Sequence, residues 1–135
     1  MEGATGELIV VRFSPFSVDG LIRAAEDDHA IRVSKGLSGD YSVSSFAKRS
    51  SEGSSPDDLI EAICREAPCS GKMVAVVLES ELQAVGFSVR ETEREMEAGH
   101  DHVDIVLGNN LIPADVERLS ALLSSKKRRN PAWKK

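Results

Sequence analysis

The sequence holds only two cysteines, Cys64 and Cys69. A disulfide framework or a zinc site asks for more thiols, or for tighter pairs with histidines close by. Both therefore read as reduced thiols, Cys64 on the apolar stripe of a helix. No apolar run approaches the roughly 18 residues of a membrane-spanning helix. The opening Met1-Glu2-Gly3-Ala4 is acidic and leads into a strand-like stretch, not the basic-then-apolar pattern of a signal peptide. A cytoplasmic setting is expected. Also absent are a Gly-rich phosphate loop, a Gly-x-Ser-x-Gly turn, His-Glu-x-x-His and any spaced cysteine set. These absences disfavour nucleotide-binding doubly wound folds and leave enzyme status unsupported, with no cofactor implied. No segment recurs at a period of roughly 20–50 residues, so this is not a repeat protein.

What is present suffices for one core. The 135 residues are 41% hydrophobic and 29% charged, the range of an ordinary globular domain. The formal charge of -5 conceals an asymmetry. Residues 126–135 carry six positive charges and no acid. The preceding 125 residues hold 11 Lys and Arg against 22 Asp and Glu, a net of -11. The body should repel phosphate backbones and membranes, and the C-terminal segment should attract them. Residues 1–125 read as a single domain and 126–135 as a basic tail.

Along the chain, Glu7–Phe13 is β-branched and apolar on both faces, the mark of a central strand. Val18, Leu21, Ile22 and Ala25 follow at helical spacing, with Gly20 predicting a helix of about two turns. His29–Ser34 and Tyr41–Ala47 read as two more strands, joined through Lys35–Asp40 by a hairpin loop with a positive-φ corner. Ser55, Pro56, Asp57 and Asp58 form the clearest helix start in the chain. Leu59, Ile60, Ile63, Cys64 and Ala67 supply its buried stripe. Lys72–Leu78 predicts a buried strand, Glu79–Val85 a short helix capped by Gly86, and Phe87–Arg90 a strand. The acidic stretch Glu91–Asp101 precedes a strand at His102–Leu107 and a last helix from Pro113. The expected fold is α+β: one two-layer domain with a mixed or mainly antiparallel sheet of about five to six strands and helices packed on one face.

Three sets of residues could carry chemistry. His100, His102 and Asp104 fall on one strand face, with Val103, Ile105 and Leu107 on the other. They are candidate ligands for a divalent metal, against the simpler reading of a polar strand face. Arg12, His29 and Arg32, with Ser42, Ser44 and Ser45 nearby if the strands pair, could recognise phosphate or a nicotinamide nucleotide. The outer face of a sheet would look the same. Lys126, Lys127, Arg128 and Arg129, followed by Trp133, suit nucleic acid or a protein partner. Glu91, Glu93, Glu95 and Glu97 read as a solvated excursion onto which the basic segment could fold.

Three stretches, Ser38–Ala47, Leu82–Phe87 and His102–Gly108, resemble a group of small uncharacterised bacterial proteins. The resemblance implies an intracellular bacterial protein, one component of a toxin–antitoxin or defence pair, and transfers no catalytic residue. Taken together, the expectation is a protein-binding or regulatory module without a membrane partner, working through residues 126–129 and Trp133. A competing reading is a nucleic-acid-acting or ADP-ribosyltransferase-like toxin using Arg12, His29, Arg32, His100 and His102. A third is a nucleic-acid binder acting through the basic segment.

Overall fold

The computed structural model describes residues 7–37, 39–50, 53, 55–67, 71–91 and 102–133. In chain order these form β1 (Leu8–Phe13), α1 (Val18–Ser34), β2 (Tyr41–Arg49), α2 (Pro56–Glu66) and β3 (Met73–Leu78). There follow α3 (Glu79–Ala84), β4 (Ser88–Glu91), β5 (His102–Gly108), α4 (Pro113–Ser125) and β6 (Lys127–Arg129). The six strands make one sheet in the order β4-β5-β2-β1-β3-β6, with every adjacent pair antiparallel. The chain is a small α+β protein.

β1 is buried along its whole length because it has cover on both faces. Leu8 and Val10 turn to a core shared with Leu21 and Ala25 of α1, Leu82 of α3, and Val116 and Leu119 of α4. Ile9, Val11 and Phe13 turn the other way, to a smaller core with Ile60, Ile63 and Cys64 of α2. Three helices thus share a face, as expected, but α2 packs on the opposite one. The continuous apolar run of β1 requires this, since a central strand with two apolar faces exposes one of them unless both are covered. Each fully buried Ile, Leu or Val contributes about 1.5–3 kcal/mol relative to exposure, so α2 is a substantial part of the fold.

The helix ends follow local chemistry. Ser55 Oγ accepts from the Asp58 amide at 3.1 Å at the start of α2, with Pro56 in the first turn. After α3, Gly86 takes φ 97°, and Phe87 N–H donates to the Leu82 carbonyl at 2.9 Å. Gly36 does the same after α1 with φ 75°, Leu37 N–H donating to the Arg32 carbonyl at 2.9 Å. Both are Schellman endings, and the positive φ is what calls for glycine.

His29–Ser34 is a correction. These residues are not a strand but the last part of α1, which runs for 17 residues. Lys35–Asp40 therefore links a helix to a strand and is not a hairpin loop. The inward stripe of α1 is Leu21, Ala25, Asp28 and Arg32, at helical spacing. It changes from apolar to charged halfway, while Ile31 and Val33 face outward at 42% and 54% exposure. An inverted amphipathic turn with β-branched residues outside imitates the alternation of a strand. Gly20 does not shorten α1: a Cβ there would collide with the Pro15 side chain, so glycine lets the helix start close to the preceding loop.

The basic C-terminal segment is built into the sheet. Lys127, Arg128 and Arg129 form the edge strand β6, paired with Ala75, Val74 and Met73. Asn130 is 3% exposed and donates from Nδ2 to the Gly71 carbonyl at 2.8 Å. Its Oδ1 accepts from the Ala132 amide at 2.8 Å. Residues 126–133 are thus held by β3 and the Gly71–Lys72 turn and do not hang free.

Candidate functional site: a buried arginine–aspartate ring and a cationic sheet edge

β2 outruns β1: the β1–β2 pairs end at Val11 and Phe46, and Tyr41–Ser45 continue beyond them. The charged end of α1 packs beside this extension. Across the sheet, Ser44 is opposite Asp104, and Arg90 of β4 is opposite Asp104 from the other side. These placements bring charge from α1, the loop before β2, β4 and β5 into one volume.

Two arginines and two aspartates alternate there in a closed ring. Arg32 lies 3.6 Å from Asp40 and 3.9 Å from Asp104. Arg90 lies 2.7 Å from Asp40 and 3.1 Å from Asp104. Arg90 also reaches Ser42 Oγ at 3.4 Å. Asp104 and Arg32 are each 1% exposed. Charges this deep persist only when paired and hydrogen-bonded, and the ring supplies that pairing.

Three further groups border the ring. Arg12 of β1 donates to the Ser44 carbonyl at 2.6 Å and to the Pro15 carbonyl at 3.3 Å. Ser44 Oγ donates to the Asp28 carboxylate at 3.1 and 3.3 Å. Burial pushes the Asp28 carboxyl up to about 6, with the Asp104 charge adding to the effect. The His29 ring stacks on Tyr41, with centroids 4.3 Å apart.

Of the grouping Arg12, His29, Arg32, Ser42, Ser44 and Ser45, all but Ser45 lie in or beside the ring, although one of the supposed strands is a helix. Ser45 points to the opposite face, buried, and among the described residues its hydroxyl has no hydrogen-bond partner. What the sequence reading missed are Asp28, Asp40 and Arg90, which neutralise and fill the cluster. Asp28 was legible in principle, standing four residues before Arg32 on one helix face.

His102 and Asp104 share a strand face, with Val103, Ile105 and Leu107 turned into the main core. That polar face is not solvated: His102 is 9% exposed, edge-on to Phe46 at 5.5 Å. Burial lowers the His102 pKa, against the pull of Asp104. His100, the third candidate ligand, lies outside the described residues, as do Glu93, Glu95, Glu97 and Cys69. Among the described residues no group of three or more His, Cys, Asp or Glu could hold a metal ion.

A cleft of about 390 Å³ opens at the far end of β2, lined by Leu8, Ala47, Lys48, Arg49, Leu59, Glu91, His102 and Val103. It takes in His102 but not Arg12, His29 or Arg32. The shared pocket that a catalytic set of these four would need is not this one, and Arg12 and Arg32 make their contacts within the protein.

At the opposite sheet edge, Lys127, Arg128 and Arg129 are all exposed. Arg128 is 3.6 Å from Asp57 and Lys126 is 2.7 Å from Glu81. Lys127 lies over the Phe16 ring at 5.9 Å. Met73, opposite Arg129, and Trp133 are each 37% exposed. No described helix is long and apolar enough to cross a membrane. Comparison with protein-family models, curated proteins and solved structures found no match.

Proposed function

We propose that the protein is a small protein-binding, regulatory module that receives an acidic, extended segment of its partner along β6. The observation that carries this reading is the edge itself. Among the described residues β6 ends the sheet order with only β3 beside it, and it exposes three consecutive cations with Trp133 four residues beyond Arg129. An edge strand offers backbone groups to an incoming strand, and cations on it repel copies of itself while favouring an acidic visitor. A partly exposed indole is a suitable apolar anchor. Among the described residues no acid stands against Lys127, which lies over the Phe16 ring, or against Arg129, so these two charges are not neutralised by an ion pair there.

Nucleic acid is the weaker reading of the same surface. Asp57 and Glu81 already sit against Arg128 and Lys126, and the body around them is net acidic, which penalises a phosphate backbone. The setting we propose is intracellular and bacterial, one partner of a toxin–antitoxin or defence pair. It is supported by the resemblance of the three segments named above.

Trp133 is the only tryptophan, so its fluorescence reports on this edge directly. Titration with a short peptide of alternating Glu and Val should shift the emission. The affinity should drop at least about ten-fold in 0.5 M salt or in K127E/R129E. An uncharged peptide of the same length should bind weakly. Affinity unchanged by the double reversal would overturn the reading, and preference for a single-stranded oligonucleotide over the peptide would transfer it to nucleic acid.

A further inference from the structure

We propose that the Asp28 carboxyl, seated between Ser44 and the arginine–aspartate ring, is a proton-operated latch holding the last two turns of α1 against β2 and β5. This inference is independent of the β6 reading and concerns the other end of the strand order, where β4, β5 and β2 lie.

The geometry singles out Asp28. Among the described residues each aspartate of the ring faces two arginines and each arginine two aspartates, so the four charges sum to zero. Asp28 is the acid left over. From β2 it meets the Ser44 hydroxyl, from β5 the like charge of Asp104, and from β1 the cation of Arg12, while Asp27 adds a like charge from its own helix. Arg12 cannot serve Asp28 alone, because its guanidinium is also spent on the Ser44 and Pro15 carbonyls. An ionised Asp28 thus adds a third carboxylate to a site whose two others are already matched. A neutral Asp28 removes that repulsion from Asp104, whose buried Oδ1 has no hydrogen-bond partner among the described residues.

The segment under control is defined by the same contacts. Beyond Asp28, α1 is held inward by Arg32 through the ring and by His29 through its stack on Tyr41. Its outward residues Ile31 and Val33 contribute little burial. Little apolar packing secures these turns, so their attachment responds to the charge state of the polar set. Burial places the Asp28 titration at about 6, inside the range that cells visit. Lowering the pH through this range tightens the end of α1, and raising it loosens the same turns.

Two measurements on the full chain test this. Carbon-detected NMR titration of the Asp28 carboxyl should give a midpoint near 6, and a midpoint below about 4.5 would overturn the proposal. Hydrogen exchange of the 28–34 amides, corrected for intrinsic rates, should show protection rising about ten-fold from about pH 7.5 to 5. The D28N variant should abolish most of that dependence. The imidazoles of His29 and His102 remain in D28N, so a variant that keeps the wild-type profile assigns it to groups other than Asp28 and overturns the latch. A midpoint near 6 with unchanged protection would leave Asp28 an ordinary buried acid and equally overturn it.

Discussion

Arg32 of α1 and Asp104 of β5 meet at 3.9 Å with side chains 2% and 1% exposed, tying the charged half of the inward stripe of α1 to the second strand of the sheet. Removing one member strands the other in a low-dielectric site. The variant R32M should lose about 3–5 kcal/mol of stability by urea denaturation. Arg90 still faces Asp104 at 3.1 Å in that variant, which places the expected loss toward the lower end. Adding Asp104→Leu should cost less than the two single losses combined, because both buried charges then leave together. Strict additivity would show that the ring is not coupled.

D28N should stabilise the protein at neutral pH. The folded-state pKa of Asp28 is raised from 3.8 to about 6, so the folded chain binds this proton more tightly than the unfolded chain does. The Asp28 contribution to wild-type stability therefore falls as the pH rises from about 4 to about 6, and stays at its lower value above that. Asparagine keeps an oxygen for the Ser44 hydroxyl and removes the charge. Allowing for solvent screening of a half-buried group, the gain at pH 7 is about 1 kcal/mol, vanishing near pH 4. Thermal melts of both proteins at the two pH values read the difference.

The sequence was most readable where local chemistry and burial agree. Ser55-Pro56-Asp57-Asp58 forms the expected helix start, Gly86 the expected cap, and β1 the expected central strand. It was least readable in α1, where tertiary pairing overrides the apolar pattern. Arg32 is buried because Asp40 and Asp104 arrive from distant positions, and no local rule places an arginine inside. The candidate site was half visible for the same reason: Arg12, Arg32, Ser42 and Ser44 stood out by type, whereas Arg90 belongs only through its register with Asp104. The basic C-terminus misled in the opposite sense. Its charge sets it apart in composition, yet backbone pairing with β3 recruits it into the sheet whatever its side chains carry.

That recruitment has a measurable consequence at Asn130. Its buried side chain bridges the Gly71 carbonyl and the Ala132 amide, both at 2.8 Å, and its own amide donates to the Lys72 carbonyl at 2.8 Å. N130A removes the two side-chain bonds and leaves their partners under-satisfied. A loss of about 1–3 kcal/mol is expected, with β6 amides exchanging faster. Equal stability and unchanged exchange would show that residues 130–133 do not anchor the edge.

Cys64 offers a probe of the smaller core. It packs with Ile60 and Ile63 of α2 against Phe13, Phe46 and Val74, and burial pushes its thiol up to about 11. The thiolate is the reactive form, and at pH 8 a pKa near 11 leaves about one thiol in a thousand ionised, before access is considered. In a C69S background, where Cys64 is the remaining cysteine, labelling by a maleimide should be slower than that of an exposed cysteine by about a hundred-fold or more. It should reach the rate of a free thiol in 8 M urea. Variants that loosen α2 should speed the reaction in proportion to their loss of stability: Ser55→Ala, which removes the Asp58 cap bond, is expected to cost about 1 kcal/mol. Variants in the arginine–aspartate ring that leave global stability in place should not change the rate, because none of the ring's ion pairs involves a residue of α2. Rapid native labelling would show that α2 stands open on its face of the sheet, and the second core would then contribute less than its buried residues imply.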